Sequence, residues 1–322
     1  MQQIKPLWSE FGDPNSLSKT IHVVDHFYGV DQNYRNVFFD KLKGQHTVIV
    51  DTIIRDEVKT NYPNLDFRFS ADGCDKLLKV LSEYRYRGTG NIKNFLCCFN
   101  LSPHISRQLL VALLYNYGFF TKEYCTKNWI TDNDSLGGIV ANLLNNNKEE
   151  ELYNKFFRCD ETFNSKKFVF AENLIEGQDL YLGHHKNLQA FESKITQRFL
   201  NLIGETLSES YNPFITEKAL YSIVTHGIFL TFGQPGWYNF YEKNLGFKLH
   251  NDLFDYSFDK IENPIKRLIK IFETISKFSI LNINDLQELY YTQRDILEYN
   301  YNHYFSKDYL KHMKQFDNIT DI

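Results

Sequence analysis

Two short segments carry the residue types that chemistry needs, at spacings a folded chain can use. Asn100-Leu-Ser-Pro-His-Ile-Ser-Arg107 follows the apolar run Phe95–Phe99, and Phe214-Ile-Thr-Glu-Lys218 lies beyond the apolar run Phe199–Ile203. In the first, Ser102 is a natural helix N-cap and Pro103 fits the first helical position. Arg107 comes four residues after Pro103, so its guanidinium shares a face with the first turn and the free backbone N–H groups there. That set can hold a phosphate or a diphosphate. A surface arginine paired with a carboxylate accounts for the same spacing. In the second segment, Thr216 can cap a helix whose first residues are Glu217 and Lys218. Glu217 can take a pair of ribose hydroxyls while Lys218 takes a phosphate, or Glu217 can simply oppose the helix macrodipole.

The elements that must position these residues follow from the patterning. Phe95–Phe99, Phe199–Ile203 and Ile228–Phe232 are short continuous apolar runs of the doubly buried type. Strand, helix and strand over the last two predict a parallel βαβ unit. Open parallel sheets bind ligands beyond the carboxyl ends of their strands. Both polar segments sit there, with Gly204-Glu205-Thr206 and the turn Gly233-Gln-Pro-Gly236. Ile21–Val24 and Thr47–Val50, around a candidate helix over Asn33–Leu42, predict a second β-α-β start, with Asp25, His26 and Asp51 at its strand ends. Arg55–Phe69 reads as polar and irregular, and Asp75–Tyr84 as helical. The break at Tyr84–Asn91 divides the chain into units over 1–90 and 91–322. Tyr124–Ile130 reads as a strand, and an Asn- and Glu-rich helical insertion is expected near 131–166. The tail reads as helices over Pro264–Phe278, Asn284–Asn300 (with Asn284 as a cap) and Lys307–Phe316.

Composition narrows the classes. The 322 residues are 43% hydrophobic and 24% charged, enough apolar material for real cores. A net charge of −4 excludes a uniformly basic nucleic-acid coat. A local basic groove through Arg85, Arg87 and Lys93, with Tyr84 and Tyr86 interleaved, stays open. The five cysteines form no C-x-x-C and no zinc-like spacing, which points to reduced thiols and a cytoplasmic setting. The N-terminus has no apolar stretch of secretory type. The longest apolar run, Leu109–Tyr115, falls far short of the ~18 residues of a membrane span. No dinucleotide fingerprint, P-loop, G-x-S-x-G or H-E-x-x-H occurs. Asp132-Asn-Asp134 matches a metal-binding spacing only at chance level, and His184-His185 reads as solvent-exposed, so no metal ligand is assigned.

Ile215-Thr-Glu-Lys218, followed by Gly227, Phe232-Gly233 and Pro235-Gly236, resembles the donor-binding half of GT-B glycosyltransferases. In their fucosyltransferase-type branch a T-E-K helix precedes a strand and a glycine loop. The segment is more similar still to a group of phage and giant-virus glycosyltransferases. Their N-x-x-P-R-x-H-R-like run is matched by Asn100, Pro103 and Arg107, with His104 and Ser106 in place of the usual arginine and histidine. Glu205-Thr206, Gly246-Phe247, Asp255-Tyr-Ser-Phe-Asp259, and Ile296 with Asn300 continue the likeness, from about Phe95 to Phe305 with a gap across the insertion. Tyr256 replaces an acidic residue of that pattern.

The resemblance implies an α/β fold of two Rossmann-like halves with a helical C-terminal tail. It implies transfer of a sugar from a nucleotide-sugar donor to an acceptor hydroxyl, on a surface glycan or a hydroxymethylated DNA base. Donor binding would fall to Ser102, Arg107, Glu205, Thr216, Glu217, Lys218 and Gly233. Arg107 and Lys218 would stabilise the departing diphosphate, with no metal or other cofactor required. Asp25, His26 or Asp51 would deprotonate the acceptor from the N-terminal half. A non-catalytic sugar- or nucleotide-binding module is the alternative.

Overall fold

A computed structural model describes residues 21–24, 44–50, 52, 54, 56–86, 90–144, 149–169, 180–206, 213 and 215–317. Two three-stranded parallel sheets organise them in a mixed α/β arrangement. In the first sheet β1 (Ile21–Val24), β2 (His46–Val50) and β3 (Leu65–Phe69) lie in sequence order, with Ile21 opposite Thr47 and His46 opposite Leu65. The irregular stretch expected over Arg55–Phe69 is instead α1 (Asp56–Asn61) followed by β3. Leu-Asp-Phe-Arg-Phe alternates: Leu65 and Phe69 are buried, while Asp66 is exposed and pairs with Arg68 at 2.8 Å. This is an edge strand with one wet face, and its charges masked the pattern. The helix expected over Asn33–Leu42 lies outside the described residues.

In the second sheet β4 (Asn94–Cys97), β5 (Arg198–Gly204) and β6 (Phe229–Phe232) also follow sequence order, with Leu96 opposite Leu200 and Asn201 opposite Phe229. Every residue of β5 is buried, as a continuous apolar run sandwiched on both faces requires. The strand expected over Tyr124–Ile130 shrinks to two isolated bridges, an antiparallel one between Lys127 and Phe168 and a parallel one in which Cys98 N–H donates to Tyr124 O and Thr126 N–H to Cys98 O, each at 2.9 Å. Cys125 thus sits on the edge of β4 opposite β5. The spatial order is Cys125, β4, β5, β6, and the chain reverses its direction of growth between β4 and β5.

Two cores result. The smaller gathers Val48, Val50, Ile54, Val58 and Leu65. The larger surrounds the second sheet and takes in Leu109–Leu114 of α3 (Ile105–Asn116), Leu220 of α8 (Glu217–Val224) and Ile271 of α10 (Pro264–Ser279). It also reaches upstream of the break at Tyr84–Asn91, to Ala71, Cys74 and Leu78 of α2 (Ala71–Leu78). Each such aliphatic side chain contributes ~1.5–3 kcal/mol when fully buried. The expected insertion is helical, as α4 (Asn133–Leu144), α5 (Glu149–Phe156) and α6 (Glu161–Asn164), and α7 (Leu180–Thr196) leads into β5.

Downstream, α9 (Trp237–Asn239) follows β6. The tail helix expected over Asn284–Asn300 is two helices, α11 (Ile283–Thr292) and α12 (Arg294–Phe305), before α13 (Asp308–Lys314). Asn282, not Asn284, caps α11, accepting from the Asn284 and Asp285 N–H groups. The break falls at Gln293, which is fully buried and hydrogen-bonded to His250 Nδ1 at 3.0 Å. No described helix is long and apolar enough to cross a membrane.

Lys127 shows how the insertion is fastened to the sheet. Its side chain is fully buried, and Nζ faces the carbonyl oxygens of Trp129, Phe163, Asn164 and Lys166 at 2.8, 3.2, 3.1 and 2.8 Å. Burial pulls the ammonium down to about 8, so it remains protonated at neutral pH. One cation therefore ties the segment after Cys125 to the end of α6. Lys127→Met keeps the length and removes every side-chain donor, leaving Phe163 O and Asn164 O with only their backbone donors and taking the ammonium from Trp129 O and Lys166 O. It should cost about 3 kcal/mol in urea unfolding; a loss below about 1 kcal/mol would show that the cage is not a fastening.

Candidate functional site

The three strands of the second sheet each lead into a buried polar side chain with an unmatched atom. Asn100 follows β4, Glu205 follows β5 and Gln234 follows β6. Asn100 Oδ1, Glu205 Oε2 and both side-chain polar atoms of Gln234 have no hydrogen-bond partner among the described residues. Asn100 and Glu205 are fully buried and Gln234 is 1% exposed. Leaving such an atom unmatched costs ~1–3 kcal/mol, so each calls for a partner such as water or a ligand. All three lie beyond the carboxyl ends of the strands, where open parallel sheets bind their ligands; Asn100 and Glu205 flank the β4–β5 reversal and Gln234 follows β6.

α3 closes one side of this place. It starts at Ile105 with His104 as its N-cap (φ −60°, ψ 148°), so Ser102 and Pro103 lie outside it rather than at the cap and first turn. The Arg107 and Gln108 N–H groups close the first turn on His104 O. Arg107, 4% exposed, does not face its own helix N-terminus as expected. Its Nε donates to Gly204 O and its Nη2 to Thr206 Oγ1, both at 3.2 Å, while Ser106 Oγ donates to Glu205 O at 2.6 Å. Gly204 permits this approach, because a Cβ there would lie 3.1 Å from Arg107 Cγ and 3.2 Å from Asn100 Oδ1. Burial lowers the Arg107 pKa, and the carboxylates of Glu217 and Glu205 push back toward the charged form.

α8 closes the other side. Thr216 is its N-cap, as expected, though its side chain makes no cap bond. Instead its N–H donates to Glu205 Oε1 at 3.3 Å. Burial pushes the Glu205 carboxyl up to about 7, against the opposing pull of Lys218 and Thr216. Glu217 and Lys218, both partly exposed, form an ion pair at 2.7 Å on the open side. His104, half-buried, is pushed down to about 4 by burial and by the charges of Arg107 and Lys218, so it is neutral at physiological pH.

The structure therefore brings together Arg107, Glu205, Thr216, Glu217 and Lys218. Gly233 stands beside them, with a packing role. A Cβ there would lie 2.7 Å from Trp237 Cδ1, and its carbonyl accepts from Arg267 Nε and Nη2 at 3.2 and 2.9 Å. Asp25, His26 and Asp51 lie outside the described residues. Their neighbour Thr52 donates its hydroxyl to Pro213 O, so the carboxyl end of β2 abuts the segment that follows β5.

Asn100, Gln234 and His104 join the site without having been singled out as site residues. Asn100 and His104 carried a signal as positions of the family-like run, and Gln234 as an amide inside a Gly-x-Pro-Gly turn. Other parts of the family-like pattern serve the fold. Asp259 accepts from the Tyr238 and Asn239 N–H groups of α9, both at 3.2 Å, and Asn300 clamps both backbone groups of Lys248. Among the described residues no cluster of three His, Cys, Asp or Glu side chains could hold a metal ion.

The chemistry available is anion recognition by Lys218 and Arg107, hydrogen bonding by Asn100 and Gln234, and proton exchange at Glu205 near neutral pH. The last has a measurable consequence. Because the folded pKa of Glu205 lies above its ordinary 4.5, its contribution to stability is fully present below about pH 4.5 and lost as the pH rises through about 7. Glu205→Gln removes that loss. Denaturant unfolding should show the variant gaining about 2 kcal/mol on the wild-type chain between pH 5 and pH 8. A gap that does not change with pH would mean that Glu205 titrates as an exposed carboxyl. No protein-family model, curated protein or solved structure matches this chain, so the site rests on its own geometry.

Proposed function

We propose that the chain is a nucleotide-sugar-dependent glycosyltransferase, with the donor held beyond the carboxyl ends of β4, β5 and β6. The observation that carries the reading is the convergence of Arg107, Lys218 and Glu205 at the strand ends, with the unmatched Asn100 Oδ1 on the other side of the β4–β5 reversal. In this reading the two parallel sheets are the cores of two Rossmann-like halves, and the approach of Thr52 to Pro213 brings their strand ends toward one cleft.

Lys218 turns from Glu217 to the donor diphosphate, and Glu217 accepts hydrogen bonds from the ribose hydroxyls. Arg107 stays fixed by Gly204 and Thr206 and supplies a permanent positive field beneath the leaving group. With Glu205 protonated, two cations face one carboxylate, and the site favours an anion. Asp25, His26 or Asp51 would deprotonate the acceptor hydroxyl, on a glycan or a hydroxymethylated DNA base, in the cytoplasm. No metal is invoked, because the two cations meet the charge of the diphosphate.

Thermal-shift measurements with UDP, GDP, CDP, ADP and dTDP, with and without Mg²⁺, test donor binding directly. One of them at about 100 times its dissociation constant should add ~2.7 kcal/mol. Lys218→Ala should weaken that ligand by about tenfold or more while leaving the unliganded melting temperature nearly unchanged. No shift with any diphosphate would sink the reading. Binding of nucleotide sugars without turnover would favour the non-catalytic module.

A further inference from the structure

At the opposite end of the second sheet lies a cavity of about 660 Å³ that the proposed donor site does not use. Its walls come from the segment before β4 (Tyr86, Gly90), the end of α8 (His226), and the α11–α12 region (Tyr290, Tyr291, Arg294, Asp295, Glu298). The volume is that of a small-ligand site.

The backbone is committed to this shape at two points. Gly90 has φ +64°, and a Cβ there would lie 2.9 Å from Tyr290 Cε1, so glycine lets the chain pass against the phenol ring. His226 is in the left-handed region at φ 53°, where glycine is the usual helix-ending residue. Its carbonyl is held by the Tyr290 hydroxyl at 2.9 Å, and its ring lies 4.7 Å from those of both Tyr86 and Tyr301. The imidazole is thus locked, yet its Nε2 is buried with no hydrogen-bond partner among the described residues, and the Glu298 carboxylate stands 3.9 Å away. That gap is too long for a hydrogen bond, so the Glu298 carboxylate keeps acceptor capacity for a hydroxyl in the cavity.

The chemistry of the walls selects the ligand. The phenol rings of Tyr86 and Tyr291 line the cavity together with a neutral-capable imidazole, one guanidinium and two carboxylates. An anion would meet Asp295 and Glu298, and an organic cation would meet Arg294. A neutral ring with apolar C–H faces and neighbouring hydroxyls meets neither penalty. Its faces cover the phenols, and its hydroxyls donate to the carboxylates and accept from Arg294.

We propose that this cavity is a binding site for a neutral saccharide, separate from the strand-end site and independent of the function proposed above. Saturation-transfer NMR on the full chain tests it with the methyl glycosides of glucose, galactose, mannose, fucose and N-acetylglucosamine, with choline and inorganic phosphate as the charged arms. At least one glycoside should receive saturation. The signal should fall about fivefold in both Tyr291→Ala and Glu298→Ala, whose side chains are half or more exposed and whose loss leaves the fold intact, and persist in Lys218→Ala. Saturation of no glycoside, or of choline or phosphate alone, overturns the proposal. So does a glycoside signal that survives both cavity variants or vanishes only with Lys218→Ala.

Discussion

A guanidinium held out of water at the end of β5 sets the terms for the rest of the second sheet. Arg107 reaches from α3 to Gly204 O and Thr206 Oγ1, and Ser106 beside it reaches Glu205 O. A buried charge is tolerable only where its donors are matched and opposite charge is near. Glu205 and Glu217 supply that charge, the first from the strand end and the second from the first turn of α8. Fixing Arg107 thus fixes α3, the end of β5 and the start of α8 relative to one another. The same arrangement leaves Glu205 buried beyond what its own partners satisfy, which raises its pKa toward neutrality. Fold and site share one electrostatic solution.

Elsewhere the chain relies on ring packing and on single polar fastenings. Trp237 stacks on Tyr241, and Tyr241 on Phe247, with ring centroids 5.3 and 4.8 Å apart, and the Trp237 ring is the reason that residue 233 is glycine. Lys127 does for the helical insertion what Arg107 does for α3, with four backbone carbonyls as its acceptors where Arg107 has a carbonyl and a hydroxyl beside two carboxyl groups. Burial lowers the Lys127 ammonium itself to about 8, whereas beside Arg107 the group that burial brings near neutrality is the Glu205 carboxyl. The contrast separates a structural cation from one that shapes a site.

The legibility of all this in the sequence was uneven, for physical reasons. β4, β5 and β6 were visible because a strand buried on both faces is a continuous apolar run, and the start of α8 at Thr216 was visible because caps are local chemistry. β3 was missed because an edge strand alternates, and Asp66 and Arg68 make it look like a loop. The start of α3 was misplaced because Ser102-Pro103 is a good local start that the tertiary position of Arg107 overrides. The break at Gln293 depends on a partner, His250, more than forty residues away in sequence. The unmatched state of Gln234 and Asn100 was out of reach for the same reason, although both lie in segments that the sequence marks. An unmatched amide is defined by what surrounds it, and those neighbours come from three strands and two helices.

The central claim is that the buried polar ends of β4, β5 and β6 form one ligand site. Side-chain amide resonances test it most directly, since Asn100 and Gln234 each carry an NH₂ group that reports its own hydrogen-bonding environment. Titrating ¹⁵N-labelled protein with the five nucleoside diphosphates should shift the Asn100 and Gln234 side-chain cross-peaks together with the backbone amides of Glu205, Thr216 and Lys218, and with one common dissociation constant. If a diphosphate binds and leaves these resonances in place while perturbing another part of the chain, the strand-end site is wrong.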